Sequence, residues 1–234
     1  MRKDSKSAEI AEQSNNSGCA ACTTRNCYRK DSSFPSFCPT MEIAEDDINT
    51  TLNIYRSEDI DARLARAAAE VEGEFYGRLT RVEEIIAFAR RLKAKRIGVA
   101  TCVGLLEESR VFVKVLTSYG LIVKAVCCKI GGVDKLDIGL PDELKVKPGC
   151  TESICNPILQ ANYLNKWFSD LNIMVGLCVG HDSLFMRHSK APVTTLAVKD
   201  RMLGHNPLAA LYTSKFYYRR LLNPEEGLLS EDKD

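Results

Sequence analysis

The sequence predicts an α/β fold in which helices cover both faces of a mostly parallel sheet. From residue 96 onward, short runs of β-branched residues alternate with helical patterns, as is typical of βαβ units. Helix-start signals stand between these runs, for example Asn156 followed by Pro157. Of the 234 residues, 45% are apolar and 27% are charged, which is enough apolar surface for one sizeable core.

Four strands and three helices account for this part of the chain. The predicted strands are Arg96–Thr101, Leu121–Cys127, Leu171–Cys178 and Val193–Lys199. The predicted helices cover Leu105–Tyr119 and Pro157–Phe168, and a further helix begins at Asn206-Pro207. Parallel strands joined by crossover helices form a Rossmann-like sheet with helices on both faces.

Two helices are predicted before the first strand. Ser57 is a suitable N-cap for a helix over about 57–77, whose single apolar face repeats at spacings of three and four residues. Thr80 and Glu83 form a capping box that opens the second helix.

The expected organisation has four parts. Residues 1–18 are a polar, disordered tail; residues 19–56 are a small cysteine-rich metal-binding segment; residues 57–222 are the α/β domain; and residues 223–234 are an acidic tail.

Charge and hydropathy exclude some classes of partner. Lys plus Arg is 32 and Asp plus Glu is 31, so the net charge favours neither nucleic acid nor an anionic membrane. The longest apolar runs, Leu121–Cys128 and Ile173–Val179, are well below the roughly 18 residues that span a bilayer. The polar start, Met1–Asn16, predicts no signal peptide, and a cytoplasmic location is expected.

The strongest local motif is a group of cysteines spaced Cys19-x2-Cys22-x4-Cys27-x10-Cys38. Four thiolates suit tetrahedral zinc or an iron–sulfur cluster. Pro39 after Cys38 favours a [4Fe–4S] cluster slightly, because some bacterial ferredoxin motifs end in Cys-Pro. The alternative is a metal knot that only stabilises this segment.

A second set of cysteines falls where strands end and a helix begins. These are Cys102, Cys127, Cys155 and Cys178. Parallel topology brings the carboxyl ends of strands to one edge of the sheet, where functional groups gather. The sequence therefore predicts a second thiolate-bound centre at this edge.

Two further cysteines are assigned by their positions. Neighbouring residues of a strand face opposite sides, so Cys128 is expected in the hydrophobic layer if Cys127 faces the site. Cys150 is the reserve ligand if Cys127 is turned away. Whether Cys127, Cys128 or Cys150 is a ligand stays open at this point.

Polar residues follow the same strand ends. His181 and Asp182 follow the third strand, Lys199 ends the fourth strand, and His205 follows it. These four are the candidates for supplying protons and charge to a reaction at the edge. Each histidine could equally serve the structure.

Several strings resemble the domain of unknown function 1847 family, whose members are usually labelled metal-binding proteins. The strings are CAACTTRNC, IGVATCVGLLEESR, ESICNPILQANYLN and GLCVGHDSLFMRHSKAPVTTLAVKDRMLGHNPLAAL. The resemblance runs from about Cys19 to Tyr217. It implies cysteine-bound metal, with the two sets of four cysteines named above as the motif cysteines, and no settled reaction.

Three functions remain open. In the first, the protein is an iron–sulfur enzyme with one or two clusters that carries out a redox or desulfuration-type reductive elimination on a small-molecule substrate or with an electron donor. In the second, it carries or senses a metal or cluster without turnover. In the third, it is a zinc-stabilised thiol enzyme with His181 as the base.

Overall fold

The computed structural model describes residues 18–30 and 33–223, together with Glu225 and Gly227. The predicted disordered tail lies outside these residues except for Gly18, and most of the predicted acidic tail does too. The chain divides into two compact units, Met1–Arg66 and Ala67–Asp234. No helix within the described ranges has both the length and the apolar character needed to cross a membrane.

The first unit carries the N-terminal cysteines and two helices, α1 (Asn26–Arg29) and α2 (Glu45–Arg56). The sequence pattern predicts a metal-binding segment over the whole of 19–56 and gives no sign of α2. Three acidic residues in its first turn and Arg56 in its last turn complement the helix dipole. None of the residues of α2 is buried.

Helix α3 (Ile60–Phe75) runs across the division between the units, and α4 (Arg81–Arg91) follows it. The predicted capping box of α4 is present: Thr80 Oγ1 accepts from the Glu83 amide at 3.4 Å, and Glu83 Oε2 accepts from the Thr80 amide at 2.8 Å. Arg91 pairs with Glu70 and Glu74 of α3. The second unit thus begins with two helices joined by ion pairs.

The sheet consists of β1 (Arg96–Thr101), β2 (Ile122–Cys127), β3 (Leu171–Leu177) and β4 (Val193–Val198). The strand order is β2-β1-β3-β4 and every pair is parallel. The connection from β1 to β2 runs in one direction along the sheet, and the connection from β2 to β3 runs back past β1 in the other. The topological switch point therefore lies between β1 and β3. The predicted fold class is confirmed.

The remaining helices are α5 (Leu106–Ser118), α6 (Pro157–Lys166), α7 (His181–His188) and α8 (Leu208–Tyr212). Ala100 of β1 packs in one cluster with residues of α6. The hydroxyl of its neighbour Thr101 lies 2.6 Å from the Ser109 hydroxyl of α5. Since neighbouring strand residues point to opposite faces, α5 and α6 cover opposite sides of the sheet.

The predicted elements differ from the structure mainly at their ends. The bounds of β1 agree, and Asn156 caps α6 through a 3.0 Å bond from the Leu159 amide. The helix predicted from Asn206 is short, and α7, which follows Gly180, was not predicted. Gly180 has a φ of 81°, a conformation open to glycine that lets the chain turn directly from β3 into α7.

Gly176 sits at an irregularity in the pairing of β3 with β4, and its φ is +68°. A Cβ built on it would lie 2.0 Å from Leu105 Cδ1, which is far inside van der Waals contact. A glycine here lets buried Leu105 pack against β3. Leu105 lies in the turn after β1, so this packing holds the Cys102 turn against the sheet.

We expect Gly176→Ala to lower the free energy of unfolding by about 2–3 kcal/mol, because it adds overpacking to an unfavourable left-handed conformation. Urea unfolding followed by circular dichroism measures the change. Gly73→Ala is the matched control: it lies within α3 with nothing within 4 Å of the added methyl. It should be neutral or slightly stabilising. Equal midpoints for the two variants would contradict the role of Gly176.

Candidate functional site

The backbone of Cys128 joins three chain segments at the carboxyl edge of the sheet. Its amide donates to the Thr101 carbonyl at 2.8 Å, and its carbonyl accepts from the Asn156 amide at 2.7 Å. Thr101 precedes Cys102, and Asn156 follows Cys155. The amide of Cys102 in turn donates to the Val175 carbonyl of β3 at 3.0 Å. These bonds bring Cys102, Cys128 and Cys155 to the same place.

Gln160 of α6 holds the ends of two strands together. Its side-chain amide donates to the carbonyls of Thr101 at 3.2 Å and Val126 at 2.8 Å. The side chain is fully buried, and its Oε1 has no hydrogen-bond partner among the described residues. A buried polar side chain is retained at such a cost when it satisfies other buried groups. Here it satisfies the last carbonyl of β1 and the carbonyl of Val126, the next-to-last residue of β2, beside the cysteines.

The Cys128 and Cys155 side chains shift each other's pKa in opposite directions through hydrogen bonding between the two sulfurs. This bond lowers the pKa of Cys155 to about 5, against the opposing effect of burial, and the positive charges of Lys129 and His181 lower it further. The same bond, together with burial, raises the pKa of Cys128. Cys155 is therefore a thiolate near neutral pH, while Cys128 keeps its proton.

Cys102 and the turn that follows it complete this group. Cys102 and Cys128 are 6% and 2% exposed and belong to the same apolar cluster. The amide of Val103 donates to Cys128 Sγ at 3.3 Å. Cys102, Cys128 and the half-buried Cys155, hereafter the edge thiols, thus occupy one largely apolar position at the sheet edge. A thiolate in such surroundings favours a cationic or metallic partner.

The other residues predicted for this edge are present there with different partners. Cys178 follows β3 and accepts a 3.2 Å bond from the Arg201 guanidinium. His181 begins α7 and acts electrostatically on Cys155. Lys199 follows β4, and its Nζ lies 3.1 Å from a Cβ built on Gly104, so it reaches the turn after β1.

Asp182 and His205 serve local structure. Asp182 Oδ1 accepts from the Ser183 amide at 2.7 Å. His205 has a φ of 68°, and its Nδ1 accepts from the Asp200 amide at 3.1 Å while its own amide donates to the Asp200 carbonyl at 2.9 Å. These bonds close the turn after β4, and His205 makes no contact with the edge thiols in the described bonds.

Cys127 and Cys128 lie on opposite sides, as alternation along a strand requires. The neighbour that interacts with Cys155 is Cys128, and not Cys127 as the sequence predicts. Cys127 pairs in register with Thr101 and lines a cavity of about 500 Å³ on the α5 side, with Ser109 and Val113. Cys150 is exposed. The loop that carries Cys155 decides which of these two neighbours faces it.

That loop is held by a buried ion-pair group. Lys145, which is 6% exposed, contacts Asp134 Oδ1 at 3.2 Å, Asp142 Oδ1 at 3.1 Å and the Cys150 carbonyl at 3.1 Å. Lys129 Nζ donates to the Ser153 carbonyl at 2.6 Å. The sequence pattern predicts none of these residues and neither Gln160 nor Arg201, although Lys129 directly follows Cys128.

In the first unit, the four N-terminal cysteines are exposed or half-buried. The amide of Cys22 donates to the Cys19 carbonyl at 3.2 Å. Backbone hydrogen bonding from Arg25, with Thr24 contributing, lowers the pKa of Cys22. Pro39 Cγ lies 3.7 Å from a Cβ built on Gly18, so the chain at Cys19 returns close to the chain at Cys38.

Neither the edge thiols nor the N-terminal cysteines are closed around a metal ion. Across the described ranges, no three or more His, Cys, Asp or Glu side chains are gathered as they would be around a metal ion. The donor chemistry fits a soft metal, since thiolates select zinc, copper or iron–sulfur clusters. Metal binding therefore stays a prediction for both sets of cysteines.

In the reduced, metal-free chain, we expect iodoacetamide to alkylate Cys155 almost as fast at about pH 6.5 as at about pH 8.5, because the thiolate reacts and is the main form above its pKa. The rate should fall only as the pH drops through about 5. N-acetylcysteine, an ordinary thiol, should lose most of its alkylation rate when the pH is lowered from about 8.5 to about 6.5. Peptide mapping by mass spectrometry measures the labelling of each cysteine.

Cys128→Ala removes the S–H donor and should move the Cys155 profile to higher pH by about one unit or more. Cys150→Ala, which changes an exposed thiol outside the group, should leave that profile unchanged. A Cys155 profile identical in the Cys128→Ala variant and in the unsubstituted chain would contradict the assigned hydrogen bond.

Comparison with known proteins agrees with the resemblance seen in the sequence. The family described as "Protein of unknown function (DUF1847)" matches residues 38–196, a range that includes the edge thiols and leaves out Cys19, Cys22 and Cys27. A protein of Methanocaldococcus jannaschii that is described as uncharacterised is 40% identical over 204 residues, which cover 87% of this chain and 97% of that protein. The chain belongs to the DUF1847 family.

Proposed function

We propose that the protein binds a soft metal ion or an iron–sulfur cluster through the edge thiols. The observation that supports this most directly is that Cys102 and Cys128 belong to one apolar cluster at the carboxyl edge of the sheet and that Cys155 packs against the same cluster. Grouping thiols that can ionise is costly in such a place unless their charge is neutralised. A metal ion or cluster neutralises it, and thiolate is the ligand that such metals prefer.

Cys102, Cys128 and Cys155 would hold this group, with Cys178 as the fourth thiol at the same edge. When bound, an iron–sulfur cluster supplies electron transfer or an open iron that acts as a Lewis acid. The chain itself contributes Lys129 and His181, whose charges favour thiolate at Cys155. Its partners would then be a small-molecule substrate or an electron donor, and desulfuration is the first reaction to test.

The N-terminal cysteines would hold a second group. Cys19, Cys22, Cys27 and Cys38 all lie in the first unit, in a segment whose described residues include none that is buried. A segment without an apolar core gains most of its order from a metal, because binding and folding are then one process. The close return of the chain at Gly18 and Pro39 supports this assignment.

The test is the iron, zinc and acid-labile sulfide content of the full chain after purification without oxygen. Cys102→Ser, Cys128→Ser and Cys155→Ser should each lose most of the metal that the edge thiols hold, because one ligand in three or four is removed. Cys19→Ser should instead lose the metal that the N-terminal cysteines hold. The two groups of variants should therefore remove separate fractions of the metal.

Cys150→Ser is the control for the loop, since Cys150 is exposed, and Cys127→Ser is the control for the strand, since Cys127 faces α5. Both should keep the full metal content. Metal content unchanged in all three edge-thiol variants would refute a centre at this edge. A loss in Cys127→Ser but not in Cys128→Ser would reverse the assignment of the two neighbours.

A second candidate function is thiol chemistry at Cys155 without an edge metal. It is favoured by the hydrogen-bonded pair Cys128–Cys155, which stands beside His181 and Lys129 as a nucleophile stands beside its activating groups. The same measurements separate the two functions. A chain that retains only the N-terminal metal and is inactivated by alkylation of Cys155 would support the thiol enzyme.

A further inference from the structure

Helix α2 (Glu45–Arg56) is exposed along its whole length. It has 12 residues, and each of them is exposed to solvent. Isolated helices shorter than about 12–15 residues are only marginally stable in water, and most helices gain their stability by packing an apolar face. Hydrogen bonds within α2 therefore give it little stability, and a helix of this kind needs a partner.

One face of α2 is suited to burial. Ile48, Leu52 and Tyr55 recur at spacings of four and three residues, which places them on one side of the helix. Their exposed fractions are 47%, 37% and 50%. Thr51 lies on the same side, and its hydroxyl is already satisfied because it donates to the Asp47 carbonyl at 2.9 Å. We call Ile48, Thr51, Leu52 and Tyr55 the α2 face.

A groove of about 420 Å³ lies beside the N-terminal half of the α2 face. Its lining residues are Ile43, Asp47, Ile48, Thr51 and Leu52. A buried tyrosine needs apolar surroundings for its ring and a hydrogen-bond partner for its hydroxyl. The groove offers both, since it combines apolar side chains with the carboxylate of Asp47. It therefore matches Tyr55, which lies at the other end of the same face.

Charge favours an antiparallel arrangement of two such helices. The first turn carries Glu45, Asp46 and Asp47, which would lie side by side and repel in a parallel pair. Glu45 and Arg56 are eleven positions apart, which is about three turns, so they lie on the same side of the helix. Among the described residues, neither belongs to an ion pair. In an antiparallel pair, Arg56 of each copy lies near Glu45 of the other.

We propose that α2 is a dimerisation helix, which pairs antiparallel with α2 of a second copy of this chain about a two-fold axis between Thr51 and Leu52. In this register, Ile48 lies opposite Tyr55 of the other copy, whose ring enters the groove. A second copy is the occupant that fits, because the groove and the tyrosine, and likewise the acid and the base, lie in opposite halves of one helix. The proposal rests on the first unit alone and does not involve the edge thiols.

The test is sedimentation velocity of the reduced full chain over about a hundredfold range of concentration. A contact between two three-turn helices is small among specific interfaces, so we expect a dimer that dissociates on dilution. Leu52→Glu places two carboxylates next to the axis and should raise the dissociation constant about tenfold or more. Leu52 is exposed in the single chain, so this variant keeps the fold of the monomer.

Asn53→Glu is the matched control, because it adds the same charge to the opposite side of the same helix, where Asn53 is exposed. It should leave the dissociation constant unchanged. A chain that is monomeric at every concentration would overturn the proposal. A dimer that Leu52→Glu and Asn53→Glu affect equally would also overturn it, since the contact would then lie elsewhere.

A double-mutant cycle tests the antiparallel register. Glu45→Gln and Arg56→Gln should each weaken the dimer, and the loss in the double variant should be about two- to tenfold smaller than the product of the single losses. The two residues of one copy are about 16 Å apart along the helix, so coupling between them reports a contact between copies. A loss equal to the product would overturn the register.

Hydrogen exchange separates a second copy from other partners of α2. The amides of α2 should exchange more slowly as the protein concentration rises, and Leu52→Glu should remove this dependence. Protection that is the same at every concentration would mean that another part of the same chain covers the helix, and would overturn the proposal. Metal content should be the same in Leu52→Glu and in the unsubstituted chain, so this proposal and the proposed function can fail separately.

Discussion

Two backbone hydrogen bonds at Cys128 are the constraint on which the site depends. One ties the residue to the end of β1 and the other to the start of α6, so three segments that are far apart in sequence share one position. Because backbone bonds of this kind fix the chain and leave the side chains free, the sulfurs of Cys102, Cys128 and Cys155 remain available for chemistry. The same two bonds decide that Cys128, and not its neighbour, meets Cys155.

Two buried features protect that arrangement. Gln160 holds carbonyls at the ends of β1 and β2, those of Thr101 and Val126, through its side-chain amide, and Gly176 leaves room for Leu105 to pack against β3. Neither touches a sulfur in the described bonds, yet each sets the position of an element that ends in a cysteine. The edge of the sheet is therefore stiff where the thiols stand, which is what ligands or nucleophiles need in order to hold their geometry.

Charge at this edge favours the thiolate form of Cys155. Lys129 and His181 lower the pKa of Cys155, and Arg201 donates to the sulfur of the neighbouring strand-end residue, Cys178. A thiolate in such surroundings is available either as a metal ligand or as a nucleophile. The same electrostatic surroundings therefore serve both functions proposed for the edge thiols.

Local patterns in the sequence are enough for the strands, the capping box at Thr80 and the Asn156 cap, because each depends on residues within a few positions of one another. Parallel topology then places Cys102, Cys155 and Cys178 at one edge without any coordinates. The pairing of Cys128 with Cys155, the fully buried Gln160 and the approach of Lys199 to Gly104 could not be predicted in this way. Each joins residues 27 to 95 positions apart, and such contacts depend on how a loop folds back and how helices pack, which no periodicity in the chain encodes.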